Sequence, residues 1–139
     1  MKPLNLDSCR IIDLPKIPDP RGNLTFIEGE NHVPFLIKRV YYLYNVPPET
    51  ERGAHAHKGL SQIIIAIFGS CSIVLDDGRR SSEFNLCRPD QGLYVCPMIW
   101  REMNNFSSGT VCLVLASDFY DESDYIRNYR DFQQALEVP

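Results

Sequence analysis

The stretch Gln62-Ile63-Ile64-Ile65-Ala66-Ile67-Phe68-Gly69-Ser70-Cys71-Ser72-Ile73-Val74-Leu75-Asp76-Asp77-Gly78 decides the fold class. Its first part is a short, unbroken apolar run rich in isoleucine, which reads as a strand buried on both faces. Gly69-Ser70 interrupts it, and Cys71 to Leu75 resumes the strand pattern. Asp76-Asp77-Gly78 then reads as a hairpin turn, because Asp and Gly tolerate the positive φ that tight hairpins need. Outward from this pair, Leu24 to Glu28, Phe35 to Tyr44, Glu83 to Leu86, Gly92 to Cys96, Ile99 to Met103 and Val111 to Ser117 read as further short strands. Ten prolines and eight glycines punctuate the chain, and no long amphipathic helical pattern precedes residue 120. Many short strands joined by Gly, Pro and Asp turns predict an all-β sandwich or jelly-roll barrel. One C-terminal α-helix closes it. Ser123 is the expected cap and Asp124 the dipole partner, with Tyr125, Ile126, Tyr129, Phe132 and Leu136 at helical spacing. Those aromatics are assigned to packing rather than to chemistry.

The chain of 139 residues fits a single domain, 1–139, large enough to bury a core. A net charge of −4 provides no bulk basic field to draw in nucleic acid or an anionic membrane. An anionic ligand must therefore be met by a few locally placed arginines. No apolar run approaches the length of a membrane span, and Met1 to Arg10 lacks the apolar core of a secretory signal. A cytoplasmic protein is the expectation. Five cysteines, Cys9, Cys71, Cys87, Cys96 and Cys112, show no CxxC spacing. They read as small hydrophobes in a reducing compartment.

His55 and His57 carry the first chemical signal. Residues two apart in a strand point to the same face, so both imidazoles would enter one cavity. A pair of solvated loop histidines is the bland alternative. The surroundings favour the cavity: Gly53 before the pair, Gln62 and Gly69 after it, resemble the first cupin motif. Gly92, Pro97, Trp100 and Arg101 resemble the second. Two of the four usual metal ligands are replaced, the glutamate by Gln62 and the last histidine by Arg101. A guanidinium has no lone pair to donate and repels a divalent ion. No metal and no cofactor is therefore expected. The histidines become acid–base candidates, with nearby arginines lowering their pKa and facing a developing oxyanion.

Arg21, Arg39, Arg52 and Arg101 fall along the proposed cavity. Their planar forks suit phosphate oxygens, so a diphosphate ligand is expected. Solvated surface arginines are the alternative for each, and Arg79 and Arg80 beside the turn are assigned to solvent.

Four stretches then carry a resemblance: Ile37-Lys38-Arg39-Val40-Tyr41-Tyr42, Arg52-Gly53-Ala54-His55-Ala56-His57-Lys58, Gly92-Leu93-Tyr94-Val95 and the long run Leu115 to Arg127. Together they are similar to the dTDP-4-keto-6-deoxyglucose 3,4-ketoisomerases, the WxcM-like sugar-isomerase cupins. The likeness runs from about Arg21 to the final helix. It implies a cupin jelly-roll homodimer, with possible exchange of N-terminal strands, that binds a dTDP-linked 4-keto-6-deoxyhexose without metal and moves its ketone from C4 to C3 through an enediol. His55 and His57 would divide the proton transfers, Arg101 and Arg21 would steady the enediolate, and Arg39 and Arg52 would hold the diphosphate. Tyr41, Tyr94 and Trp100 would add substrate contacts, with core packing an equal reading for Tyr94 and Trp100. Galacto and gluco products both stay open. A metal-free 3,5-epimerase and a non-catalytic sugar-nucleotide-binding cupin are the competing functions, and a metal-dependent dioxygenase is the weakest.

Overall fold

The computed structural model describes residues 4–137. Twelve strands and one helix succeed one another: β1 (Arg10–Asp13), β2 (Lys16–Ile17), β3 (Leu24–Thr25), β4 (Arg39–Leu43), β5 (Arg52–His57), β6 (Gln62–Phe68), β7 (Cys71–Asp76), β8 (Ser81–Leu86), β9 (Gln91–Val95), β10 (Trp100–Asn104), β11 (Val111–Ala116), β12 (Tyr125–Ile126) and α1 (Tyr129–Glu137). Two five-stranded sheets form, in the orders β1-β9-β6-β11-β4 and β12-β5-β10-β7-β8, with β2 and β3 as a separate hairpin. The all-β class and the terminal helix agree with the sequence reading. The sheets face each other in a cupin-like, jelly-roll arrangement, in agreement with the expected class, and are not hydrogen-bonded into a closed barrel.

The apolar run at Gln62 to Phe68 explains the layering. β6 pairs with β9 on one side and β11 on the other, so it is central and buried on both faces. Ile64 and Ala66 point between the sheets, where they meet Ile73 and Leu75 of β7, Leu93 and Val95 of β9, and Val114 of β11. Ile63 and Ile65 point the other way, under Leu14, Val33, Phe35 and Ile37. The segment expected as strand from Phe35 therefore becomes regular only at Arg39. Its first part lies across the outer face of the sheet as a lid of apolar side chains. Likewise only Leu24–Thr25 of the expected Leu24–Glu28 strand is paired, with Gly29 and Val33 forming one isolated bridge.

The C-terminal expectation is corrected. Asp121, not Ser123, caps a short 3-10 turn over Glu122–Asp124, and Tyr125–Ile126 pairs with β5. The α-helix begins only at Tyr129, where Asn128 accepts hydrogen bonds from the amides of Arg130 and Asp131. Its Phe132 is wholly buried against Trp100, with Tyr129 and Ile126. The hairpin turn at Asp76 to Gly78 is as expected, with Gly78 at φ 93°. Cys9, Cys71, Cys96 and Cys112 are buried and free, and Cys87 is exposed. No helix among the described residues is long and apolar enough to cross a membrane.

Candidate active site

One end of the sandwich stays open, and both sheets supply its lining. On β5 the residues Gly53, His55 and His57 share the inner face, as period-two alternation requires. A bulge sets their phase. Arg101 pairs with His55 but Met103 pairs with Arg52, so β5 carries one extra residue across that interval. Gly53 absorbs it at φ 76°, a left-handed conformation that costs a side-chain-bearing residue about 1–2 kcal/mol.

The resulting cavity has a volume of about 290 Å³. Arg39, Tyr41 and Leu43 of β4 form one wall with Gln62 and Ile64 of β6, and His55, Arg101, Met103 and Tyr125 form the other. Arg52 and Arg127 stand exposed at its rim. Four lining residues are arginines and none is an acid. In a chain of net charge −4, this is a local concentration of positive charge aimed at an anion.

Arg101 is the deepest of the four. It is enclosed on all sides, and burial lowers its pKa to about 10, so it remains a cation at neutral pH. Its Nη1 donates to the Gln62 amide oxygen and its Nη2 to the Ile99 carbonyl at 3.1 Å, while the Gln62 amide donates to the Tyr41 hydroxyl at 2.9 Å. Arg101 Nε and the Nε and Nη2 atoms of Arg39 are buried donors with no partner among the described residues. Orphaned charged donors are costly. Three of them on cavity-lining arginines fit a site built to receive a ligand's oxygens.

The two imidazoles stand edge to face, with their Nε2 atoms 3.1 Å apart. His57 is sealed from solvent, and its Nδ1 lies 3.0 Å from Asp124 Oδ2. Burial, then the charge of Arg101, hold both histidines down to a pKa of about 3, with each other's charge acting on His55 and Arg39 on His57. The direction is downward even with the Asp124 carboxylate in contact. Both rings are therefore neutral at pH 7 and able to accept a proton. The Tyr125 ring packs on both histidines, at 5.1 and 4.3 Å, and the Arg127 guanidinium lies over the same ring at 4.2 Å. Behind Tyr125 lies a second, smaller cavity of about 120 Å³, reached by His57, Asp124 and Arg39.

The donor set does not suit a metal. Among the described residues no three His, Cys, Asp or Glu side chains converge. Arg101, the strand partner of His55, sets a cation beside the two imidazoles, where it would repel a divalent ion.

His55, His57, Arg39, Arg52, Arg101 and Tyr41 thus come together as the sequence suggested. Three other candidates do not join them in this chain. Trp100 points out from β10 and lies beneath α1, because its neighbour Arg101 takes the inner face. Tyr94 is on the outer face of β9, beside Phe35 and under Arg10. Arg21 sits on the β2–β3 hairpin, with its side chain 90% exposed and paired with Asp19. Sequence reasoning missed Asp124, Tyr125 and Arg127. Their signal was the Leu115 to Arg127 stretch, which carried the family resemblance while Asp124 and Tyr125 were assigned to the first turns of the closing helix.

A family model described as WxcM-like, C-terminal, matches residues 7–137. The chain belongs to this family. It is 50% identical over 127 residues, 91% of each chain, to the TDP-4-oxo-6-deoxy-alpha-D-glucose-3,4-oxoisomerase of Aneurinibacillus thermoaerophilus. The TDP-quinovose 3,4-ketoisomerase of Campylobacter jejuni has a similar structure (TM-score 0.89, 51% identity, covering 93% of this chain and 99% of that one). So does a histidine-to-asparagine mutant of a Thermoanaerobacterium thermosaccharolyticum 3,4-ketoisomerase (TM-score 0.91, 44% identity, 94% of both chains), whose crystals hold TDP-4-keto-6-deoxyglucose.

Proposed function

We propose that this protein is a 3,4-ketoisomerase that moves the ketone of a dTDP-linked 4-keto-6-deoxyhexose from C4 to C3 by metal-free acid–base catalysis. One observation carries the reading: the neutral imidazole of His55, backed by neutral His57 with their Nε2 atoms 3.1 Å apart, lines a cavity whose only charged lining groups are arginines. A ketone at C4 acidifies the C3 proton. Removing it requires an unprotonated base, and the enediolate that follows requires positive charge nearby. His55, which lines the cavity, is the base. Arg101 faces the developing oxyanion, and the Tyr41 hydroxyl, kept protonated by burial, is a hydrogen-bond donor beside it. In balance, C3 and O3 each lose a proton while C4 and O4 each gain one.

Binding follows the same layout. The apolar wall of Leu43, Ile64, Met103 and Val114 suits the C6 methyl of a deoxyhexose. Arg39, with its unpartnered donors, and Arg52 and Arg127 at the rim suit the diphosphate. The named relatives support the substrate class, and the substrate held by the asparagine mutant accords with an essential histidine.

A cytoplasmic homodimer with exchanged N-terminal strands completes the proposal. The hairpin that carries Arg21 leaves Ile17 and Leu24 more than half exposed, and edge strand β4 exposes Val40 and Tyr42 to the same degree. An exchanged hairpin would cover such surface and offer Arg21 to a neighbouring cavity. Light scattering in solution should give twice the chain mass; a monomer with full activity would remove both the dimer and Arg21 from the mechanism.

The test of function is proton NMR of dTDP-4-keto-6-deoxyglucose with the protein in deuterated buffer containing a chelator. Ketone migration to C3 with deuterium entering at C4 is expected. Exchange at C3 and C5 without migration would mean an epimerase, binding without exchange a non-catalytic module, and activity lost to the chelator a metal enzyme.

A further inference from the structure

We infer that Asp124 is a positioning residue that sets the tautomers of both histidines, so that His55 presents a bare nitrogen to the substrate. The inference deepens the ketoisomerase reading and rests on it for the identity of the base.

The hydrogen-bond chain has one possible direction. A carboxylate only accepts, so the 3.0 Å contact with Asp124 Oδ2 places the proton of neutral His57 on Nδ1. His57 Nε2 then carries its lone pair. The 3.1 Å contact between the rings therefore requires His55 to donate from its own Nε2. A neutral imidazole has only one N–H, which leaves His55 Nδ1 as a lone pair, and no described residue hydrogen-bonds it. The carboxylate itself cannot turn away. Its Oδ1 accepts from the Gly59 amide at 2.7 Å, and its backbone carbonyl accepts from the Lys58 amide at 2.9 Å. The sequence realises this through a short excursion. Asp121 caps the turn that ends at Asp124, and the next two residues pair with β5 opposite His57 and Ala56.

The same geometry states what an uncharged isostere would do. In Asp124→Asn one oxygen becomes an NH2 group. The Gly59 amide is an obligate donor, so the remaining oxygen must stay on Gly59 and the NH2 must face His57. His57 Nδ1 then has to be the lone pair, its proton moves to Nε2, and His55 Nε2 becomes the acceptor. His55 is left with its proton on Nδ1. The chain reverses, and the base presents N–H instead of a lone pair. A wrong tautomer imposed in this way lowers turnover by about 10⁴-fold in a Ser-His-Asp enzyme whose geometry is intact.

The test is two-bond proton–nitrogen correlation NMR on protein labelled with 15N-histidine. The wild type should show His57 protonated at Nδ1 and His55 protonated at Nε2, and Asp124→Asn should show both reversed. The variant should retain its affinity for dTDP, because the carboxylate touches no part of the rim, while kcat falls by about 10³- to 10⁴-fold. A wild-type His57 with its proton on Nε2 overturns the inference without any variant. So does an Asp124→Asn protein that keeps both tautomers, or one that reverses them and keeps full kcat. If the wild type does not isomerise the sugar at all, the ketoisomerase reading fails, whereas the tautomer assignment is decided by the spectra alone.

Discussion

Arg101 is a cation buried without a carboxylate beside it. Such a group costs several kcal/mol to desolvate, and its return is chemical: its charge depresses both histidine pKa values and faces the reacting oxygens. Two consequences can be measured. Both histidines are neutral when folded down to about pH 3, whereas in the unfolded chain they protonate near pH 6.5. The unfolded state therefore binds more protons between those values. Stability should be level above pH 6.5 and fall as pH drops below it, and a double His55→Gln, His57→Gln variant should lose that slope between pH 6.5 and 5. The acid limb of kcat/KM should likewise lie well below pH 6. In Arg101→Met, NMR titration should find the histidine pKa values moved up, with kcat lowered by about 10²- to 10³-fold, the usual effect of removing one oxyanion donor. Unmoved titrations would deny Arg101 its electrostatic role.

At the scale of elements, α1 and β10 divide the labour of two adjacent residues. Trp100 and Arg101 point to opposite faces of one strand, the first to the helix and the second to the cavity. Phe132 of α1 is fully enclosed against Trp100. Phe132→Ala should lower unfolding free energy by about 3–5 kcal/mol in urea titration. The surviving folded fraction should still bind dTDP, since no α1 residue lines the cavity. A large loss of affinity with little loss of stability would contradict that division. The turn and strand before α1 were the least legible part of the chain. Tyr125, Ile126, Tyr129 and Phe132 fall at helical intervals, but Tyr125 and Ile126 are claimed by pairing with β5. A local pattern cannot see a partner strand nearly 70 residues away, and tertiary pairing overrides propensity there.

At the scale of the whole molecule, an acidic protein presents a cationic cleft. Arg52 and Arg127 are exposed and screened by salt, whereas Arg101 is enclosed and is not. Raising ionic strength should therefore raise KM for the sugar nucleotide while leaving kcat nearly unchanged. A parallel fall in kcat would mean that the rim arginines act in the chemical step.

The sequence by itself determined the all-β class, the central buried strand, the hairpin turn and the closing helix, because these follow from local periodicity and turn chemistry. It also put an arginine, Arg101, where the likeness to the second cupin motif expects a ligand histidine, and residue type alone decides that a guanidinium donates no lone pair. Only the tertiary structure decided which residues meet. Asp124 reaches His57, and Tyr125 touches both His55 and Arg127, through a strand pairing distant in sequence. Tyr94 and Trp100 turn away because a strand offers its two faces alternately, and the inner face belongs to their neighbours. That the two sheets of the expected jelly roll stay unjoined at their edges was also decided there, because closure depends on long-range register. No stretch of the chain encodes that register locally.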